Sequence, residues 1–209
     1  MYTLMKPIQV REQLLERGIR IFTPQDFRRI FRTSSSTTKH FLENQAKQGL
    51  FIRLKQGLYT LKTDLPSEEE LANALYKPSY ISFEYALAYF NILPEMPYTI
   101  TCATTKPTRL FTIDNKAFSY RTIKKGAYTG YFLEKKSDRS FYIAEPEKAL
   151  ADYLYFVFLR KSAYSERLLE NLKDRGYYQT KGLQKEKLIE YAQLFARKKL
   201  NSFIEKIIG

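Results

Sequence analysis

Between residues 28 and 56 the chain concentrates side chains that hold phosphates and read bases. Arg28, Arg29 and Arg32 come first. A run of short polar and donor residues follows, with Ser35, Ser36, Thr37, Lys39, His40 and Asn44, and then Arg53, Lys55 and Gln56. Arginine and lysine neutralise phosphate oxygens, while hydroxyls and helix N-terminal N–H groups hydrogen-bond them. Lys, His and Asn side chains of suitable placement reach base edges. The chemistry of such a set is recognition of a polyanion. Plainer roles exist for the same residues: Ser34 and Ser35 as helix caps, the arginines as solvated surface, and Lys55 as a guard on a strand edge. The coincidence of three basic regions in one short stretch favours DNA contact.

These residues need a scaffold, and the surrounding sequence specifies one. Thr23-Pro24 is a helix start, with Thr23 as cap and Pro24 at the first helical position. Phe27, Ile30 and Phe31 recur at helical spacing. Arg32 to Ser35 is a break rich in cap formers, and a second helix of about three turns runs toward Gly49. Its inner face is Phe41, Leu42, Gln45 and Ala46; Ser36, Thr37, Lys39, His40, Glu43, Asn44 and Lys47 lie outside. Leu50 to Lys55 and Leu58 to Lys62 read as strands joined at Gln56-Gly57. Upstream, Met5 to Arg17 is a supporting helix with Ile8, Val10, Leu14 and Leu15 as its apolar side, and Ile19 to Phe22 is a short strand that pairs with the hairpin. Helix, turn, helix and hairpin in this order predict a winged helix-turn-helix over residues 1–63. In that motif the second helix enters the major groove and the hairpin lies along the backbone.

Charge follows the same division. Residues 1–63 hold 12 Lys/Arg against 4 Asp/Glu, residues 64–172 hold 14 against 14, and residues 173–209 hold 9 against 4. The positive field sits on the proposed reader and on the tail, where counterion release from DNA rewards it. The single cysteine, Cys102, excludes an internal disulfide, which agrees with a reducing cytoplasm. No secretory leader or membrane-spanning run is apparent, since the apolar stretch Tyr153 to Leu159 is too short to span and reads as a buried helix.

Residues 67–209 predict an α+β domain with a mainly antiparallel sheet and a helical C-terminal tail, entered through a boundary at Thr63 to Ser67. Ser67 with Glu68, Glu69 and Glu70 opens a helix, and Ser82 caps another that runs from Phe83 to Asn91. Strands are expected at Tyr98 to Ala103, Arg109 to Ile113, Ala117 to Thr122, Tyr128 to Glu134 and Ser140 to Ile143, with turns at Asp114-Asn115 and Ser137-Asp138. Pro146 opens a helix to Leu159. Further helices are expected at Glu166 to Asp174 and, as one long amphipathic element, from Gln184 to Ile208.

Other chemistries find less support. His40 and Cys102 are single residues far apart in sequence, so no zinc cluster of usual composition is expected, nor any metal or cofactor. No glycine-rich phosphate loop is present. Glu84, Glu145, Glu147 and Lys148 resemble carboxylate-lysine nuclease groups, but each acid reads more simply as a favourable charge at a helix start. Thr104, Thr105, Lys106, Arg109 and Arg121 form a candidate anion or nucleic-acid surface. A strand end with solvated charges and one ion pair accounts for them equally well.

Several longer motifs carry a resemblance. They are YISFEYALAYFNILPEMPYTITCATTKPTRLF at Tyr80 to Phe111, FSYRTIK at Phe118 to Lys124, Gly130-Tyr131, and IAEPEKALADYLYF at Ile143 to Phe156. In order and spacing the chain resembles the AbiEi family of antitoxins and transcriptional regulators of AbiE (type IV) toxin–antitoxin systems. The resemblance implies a repressor that acts on its own operon through the N-terminal domain. It also implies that the second domain counteracts a nucleotidyltransferase-like toxin, with or without touching it. The combined reading expects a cytoplasmic, non-enzymatic protein, with two copies, a possible dimer, on inverted repeats in the operator. The competing expectations are a winged-helix transcription factor whose second domain senses a ligand or partner and, further off, a nuclease.

Overall fold

The computed structural model describes residues 6–159 and 182–208. The fold is α+β, and the chain divides into two compact units, residues 1–75 and 76–209.

The first unit opens with α1 (Pro7–Glu16) and β1 (Ile21–Phe22), followed by α2 (Pro24–Phe31) and α3 (Ser35–Lys47). The hairpin β2 (Phe51–Lys55) and β3 (Leu58–Leu61) comes next, and α4 (Glu68–Leu75) closes the unit. The strands form one antiparallel sheet in the order β1-β3-β2, so the short strand before α2 does pair with the hairpin. Thr23 and Asp26 make a reciprocal capping box at the start of α2, a contact worth about 1 kcal/mol. Gly57 turns the hairpin at a φ of 72°, a conformation glycine adopts without steric cost.

An aromatic cluster fills this unit. Phe22 meets Phe51 edge-on at 5.3 Å and Phe27 packs on Phe31 at 4.5 Å between centroids. Leu14, Leu42 and Leu61 are fully buried beside them. Ile8, expected on the inner side of α1, is exposed. Val10 and Leu14 lie one turn apart and define the buried face, whereas two residues of helix turn Ile8 about 200° away from Val10.

The expected boundary at residues 63–67 is tied back to the first unit. Arg20 pairs with Asp64 at 2.9 Å and the Arg11 guanidinium donates to the Thr63 hydroxyl. Ser67 and Glu70 cap α4 reciprocally, and the Lys55 ammonium donates to the Leu75 carbonyl at the far end of α4. The division therefore falls after α4 rather than before it.

The second unit carries β4 (Ser79–Ile81), α5 (Phe83–Tyr89), β5 (Ile100–Thr104), β6 (Arg109–Ile113), β7 (Lys116–Thr122), β8 (Tyr131–Lys136), β9 (Arg139–Ala144), α6 (Pro146–Leu159), α7 (Lys185–Gln193) and α8 (Lys198–Ile208). The six strands form one sheet in the order β6-β7-β5-β4-β9-β8. Three ladders are antiparallel, but β4–β9 and β5–β7 are parallel, so the sheet is mixed. β4 was not anticipated. It is only three residues long, follows Pro78, and is buried throughout, so it shows no polar alternation.

The expected single helix from Gln184 to Ile208 is two helices. Ala196 takes a left-handed φ of 46°, and the Phe195 and Ala196 N–H groups bond three residues back, to Ala192 and Gln193. The break lets both halves of the apolar stripe bury: Leu188 and Ala192 from α7, Phe195 in the break itself, and Leu200 and Ile204 from α8. Phe195 stacks on Tyr155 of α6 at 4.2 Å. The expected helix at Glu166 to Asp174 lies outside the described residues. Among the described residues no helix is long and apolar enough to cross a membrane.

Candidate nucleic-acid interface

α3 is the element on which the first unit's candidate residues converge. Ser34 caps it, accepting from the Thr37 N–H at 3.1 Å. The Ser34 hydroxyl also lies 3.0 Å from Ser36 and 2.8 Å from Thr37, which makes a compact hydroxyl cluster at the positive end of the helix dipole. Thr38, Leu42 and Gln45 are buried and hold the opposite face against the aromatic core. Ser35, Ser36, Thr37, Lys39, His40 and Asn44 are all exposed. One helix thus separates a packed side from a polar side. Thr38 was missing from the expected inner face; its hydroxyl sits 2.7 Å from that of Thr33, which satisfies it internally.

The flanking basic residues divide. Arg28 and Arg32 are exposed, and Arg32 sits in the left-handed turn between α2 and α3. Arg29 is exposed too but meets Asp26 at 3.0 Å. At the hairpin, Arg53 and Gln56 are exposed. Lys55 is half-buried, and its bond to the Leu75 carbonyl directs its ammonium toward α4 rather than outward. Edge position in a hairpin did not predict this, because the partner carbonyl lies 20 residues further along the chain.

In the second unit the five expected surface residues separate into two groups. Thr104 is buried; its hydroxyl donates to the Pro78 carbonyl at 2.7 Å and accepts from the Lys106 N–H. Arg121 belongs to a part-buried ion pair. It binds both oxygens of Glu84, at 2.9 and 2.7 Å, and lies over the rings of Phe156 and Phe83. Lys106 and Arg109 are exposed and flank the Tyr76 ring, with Thr105 half-buried beside them.

The acids considered for nuclease chemistry each hold a separate contact. Glu84 engages Arg121. Glu145 accepts from Lys187 and from the Tyr191 hydroxyl, both at 3.0 Å. Glu147 is buried and accepts the Gln184 N–H at 2.9 Å. Together Glu145 and Glu147 tie the start of α7 to the start of α6. Among the described residues no group of three His, Cys, Asp or Glu is placed to hold a metal ion.

The sequence reading missed a buried polar network at the centre of the second unit. Lys148 and Asp152 pair one turn apart on α6 with both side chains fully buried. Asp152 also accepts from the Ser82 hydroxyl at 2.7 Å and the Tyr80 hydroxyl at 3.0 Å. Ser82, expected to cap α5, spends its hydroxyl here and makes no side-chain cap. Burial pushes the Asp152 carboxyl up and the Lys148 ammonium down, and their attraction opposes both shifts. Burial and the neighbouring Asp152 charge raise the Tyr80 phenol well above its ordinary value. Phe83, which follows Ser82, takes a left-handed φ of 59°. A bulky residue there carries strain of about 1–3 kcal/mol, held by packing against Phe156. The available signal was Lys148-x-x-x-Asp152 in a mainly apolar helix: charges at that spacing share a face.

The chain matches no protein-family model and no curated protein.

Proposed function

We propose that this protein is a DNA-binding antitoxin of the AbiEi kind. Its first unit, in this reading, is a winged helix-turn-helix that reads operator DNA and represses its own operon. Its second unit counteracts a nucleotidyltransferase-like toxin. The observation that carries the DNA part is α3: one side is locked to the core by Thr38, Leu42 and Gln45, and the other offers Ser36, Thr37, Lys39, His40 and Asn44 to solvent. The order α1, β1, α2, α3, β2, β3 supports the winged-helix assignment. In that motif α3 enters the major groove and the β2–β3 turn, with Arg53 and Gln56, follows the backbone. Two copies on an inverted repeat would occlude the promoter. The antitoxin part rests on the sequence resemblance.

The test is fluorescence anisotropy of the full chain on the DNA upstream of its own gene, beside a shuffled duplex, at several salt concentrations. Preferential, salt-sensitive binding is expected. Lys39→Ala with His40→Ala reduces the preference for the operator, by about 1–3 kcal/mol for each base-edge hydrogen-bonding pair removed. Arg53→Ala weakens both duplexes alike and reduces the salt slope by about 1. Equal, weak binding to both duplexes would remove operator repression as the function. Co-expression with a neighbouring nucleotidyltransferase-like gene tests the antitoxin part, and toxicity that persists in the presence of this chain counts against it.

A further inference from the structure

The net neutrality of the middle of the chain conceals a local excess. Residues 100–127 hold six Lys/Arg against one Asp/Glu, and the sheet sorts them by end. β5 and β7 run parallel with Thr104 opposite Thr122, β6 begins beside the end of β7, and Ser79 of β4 lies opposite Thr104. The last residues of β5 and β7 and the first of β6 and β4 therefore share one end of the sheet. That end carries Lys77, Lys106, Arg109, Lys124 and Lys125, all exposed. The one acid of the stretch, Asp114, sits in the β6–β7 turn at the opposite end. Four neighbouring strands place these cations across about 14 Å.

The end is also held in shape. The Thr122 hydroxyl donates to the Lys106 carbonyl at 2.8 Å, the Thr122 N–H donates to the Thr108 hydroxyl, and the Ile123 N–H donates to the Thr104 carbonyl. Tyr76 donates to the Pro107 carbonyl and packs edge-on against Tyr120 at 5.3 Å. The Arg109 guanidinium lies over Phe111 at 5.2 Å and Tyr76 at 5.9 Å, and Lys106 lies over Tyr76 at 5.4 Å.

We propose that this end of the sheet is a second nucleic-acid site, independent of the operator reading, and that its ligand is a single strand. Chemical complementarity supports it. Five exposed cations in a row neutralise consecutive phosphates, and an arginine plane seated on aromatic rings is a platform on which an unpaired base stacks. The end is built, within the second unit, of strand termini, tight turns and the single-turn 3-10 helix Lys125–Ala127, which is too short to enter a duplex groove, so base contact requires bases already unpaired.

The test uses the full chain with labelled single strands of mixed sequence, about 15 nucleotides long to fill a single-strand groove, one RNA and one DNA, and a DNA duplex of the same sequence. Lys106→Ala, Arg109→Ala and Lys124→Ala combined weaken binding to a single strand at least about tenfold, flatten its salt slope by about 2, and change duplex binding less than about twofold. Lys39→Ala with Arg53→Ala has the reverse pattern. Should the triple variant misfold, Lys124→Glu at an exposed position gives the same selective loss on a smaller scale. Preference between the RNA and DNA strands identifies the source of the ligand. The proposal is overturned by absence of single-strand binding, by single-strand binding that the second-unit variants leave intact, or by equal loss of duplex and single strand. Loss of duplex preference with single-strand binding retained would instead count against the operator reading alone.

Discussion

Lys39 and Lys148 are both helical lysines, and the protein treats them in opposite ways. Lys39 stands exposed on α3, on the side facing away from an aromatic core. Lys148 is fully buried, paired with Asp152 and set over the rings of Phe195 and Tyr80. The candidate DNA face of the first unit keeps Lys39, Arg28 and Arg53 outside, where a solvated charge costs little. The second unit also takes charges out of water, where each is matched: Lys148 by Asp152 in full burial, and Arg121 by Glu84 in partial burial. In the proposed reading the exposed charge of α3 serves recognition while the buried Lys148–Asp152 pair specifies packing, and substitutions separate the two uses.

The largest effect is expected at Asp152. Asp152→Ala leaves the Lys148 ammonium buried without its partner and takes the acceptor from Ser82 and Tyr80. Breaking a buried pair in this way costs about 3–5 kcal/mol, read as a shift of the urea midpoint. Replacing both charges, by Lys148→Met with Asp152→Leu, should restore much of that loss. If Asp152→Ala unfolds no more easily than the wild type, the network does not hold the second unit together.

Gly130→Ala comes next. Gly130 has a φ of 71°, and an added Cβ would lie 2.7 Å from the Tyr191 ring. Left-handed strain and overpacking together cost about 2 kcal/mol. The helices α7 and α8 should loosen first, measured as faster amide exchange in residues 185–205.

Tyr191 offers a gentler probe of the same contact. Burial, followed by its hydrogen bond to Glu145, raises its phenol from 10.0 to about 12. A folded value above the unfolded one means that the contribution is fully present below about pH 10 and is lost as pH rises through about 12. Tyr191→Phe should therefore cost about 1 kcal/mol at neutral pH, and the gap to the wild type should narrow over that alkaline window. A gap that stays constant across that window would mean that the hydroxyl is not coupled to folding.

What the sequence discloses follows the range of the interactions involved. The Thr23 cap, the Gln56-Gly57 turn and the limits of α6 depend on residues close together, and their residue types announce them. The side of α3 that faces solvent was legible because helical periodicity is local. Three features escaped because their cause is distant. Lys55 turns inward to a carbonyl 20 residues on, Ser82 bonds a carboxylate 70 residues on, and β4 exists only between two strands from elsewhere in the chain. The break at Ala196 escaped for another reason. Alanine is the best helix former, and the left-handed alanine there accompanies tertiary packing, Phe195 on Tyr155 and the burial of Leu200 and Ile204, that local propensity does not encode.

The smallest effect on stability carries the most information about function. Lys39→Ala with Arg53→Ala removes two exposed charges from the first unit, and surface changes of this kind usually stay within about 0.5 kcal/mol. The same pair should lower duplex affinity and flatten its salt slope by about 2, because each removed cation releases about 0.9 fewer counterions. A protein whose exposed cations serve only solubility would show neither change. One whose cations serve folding would show a lower urea midpoint together with the weaker affinity. An unchanged midpoint with weaker, less salt-sensitive binding is the result that assigns these side chains to a nucleic-acid face, and it sets them apart from Lys148, where loss of the partner costs the fold itself.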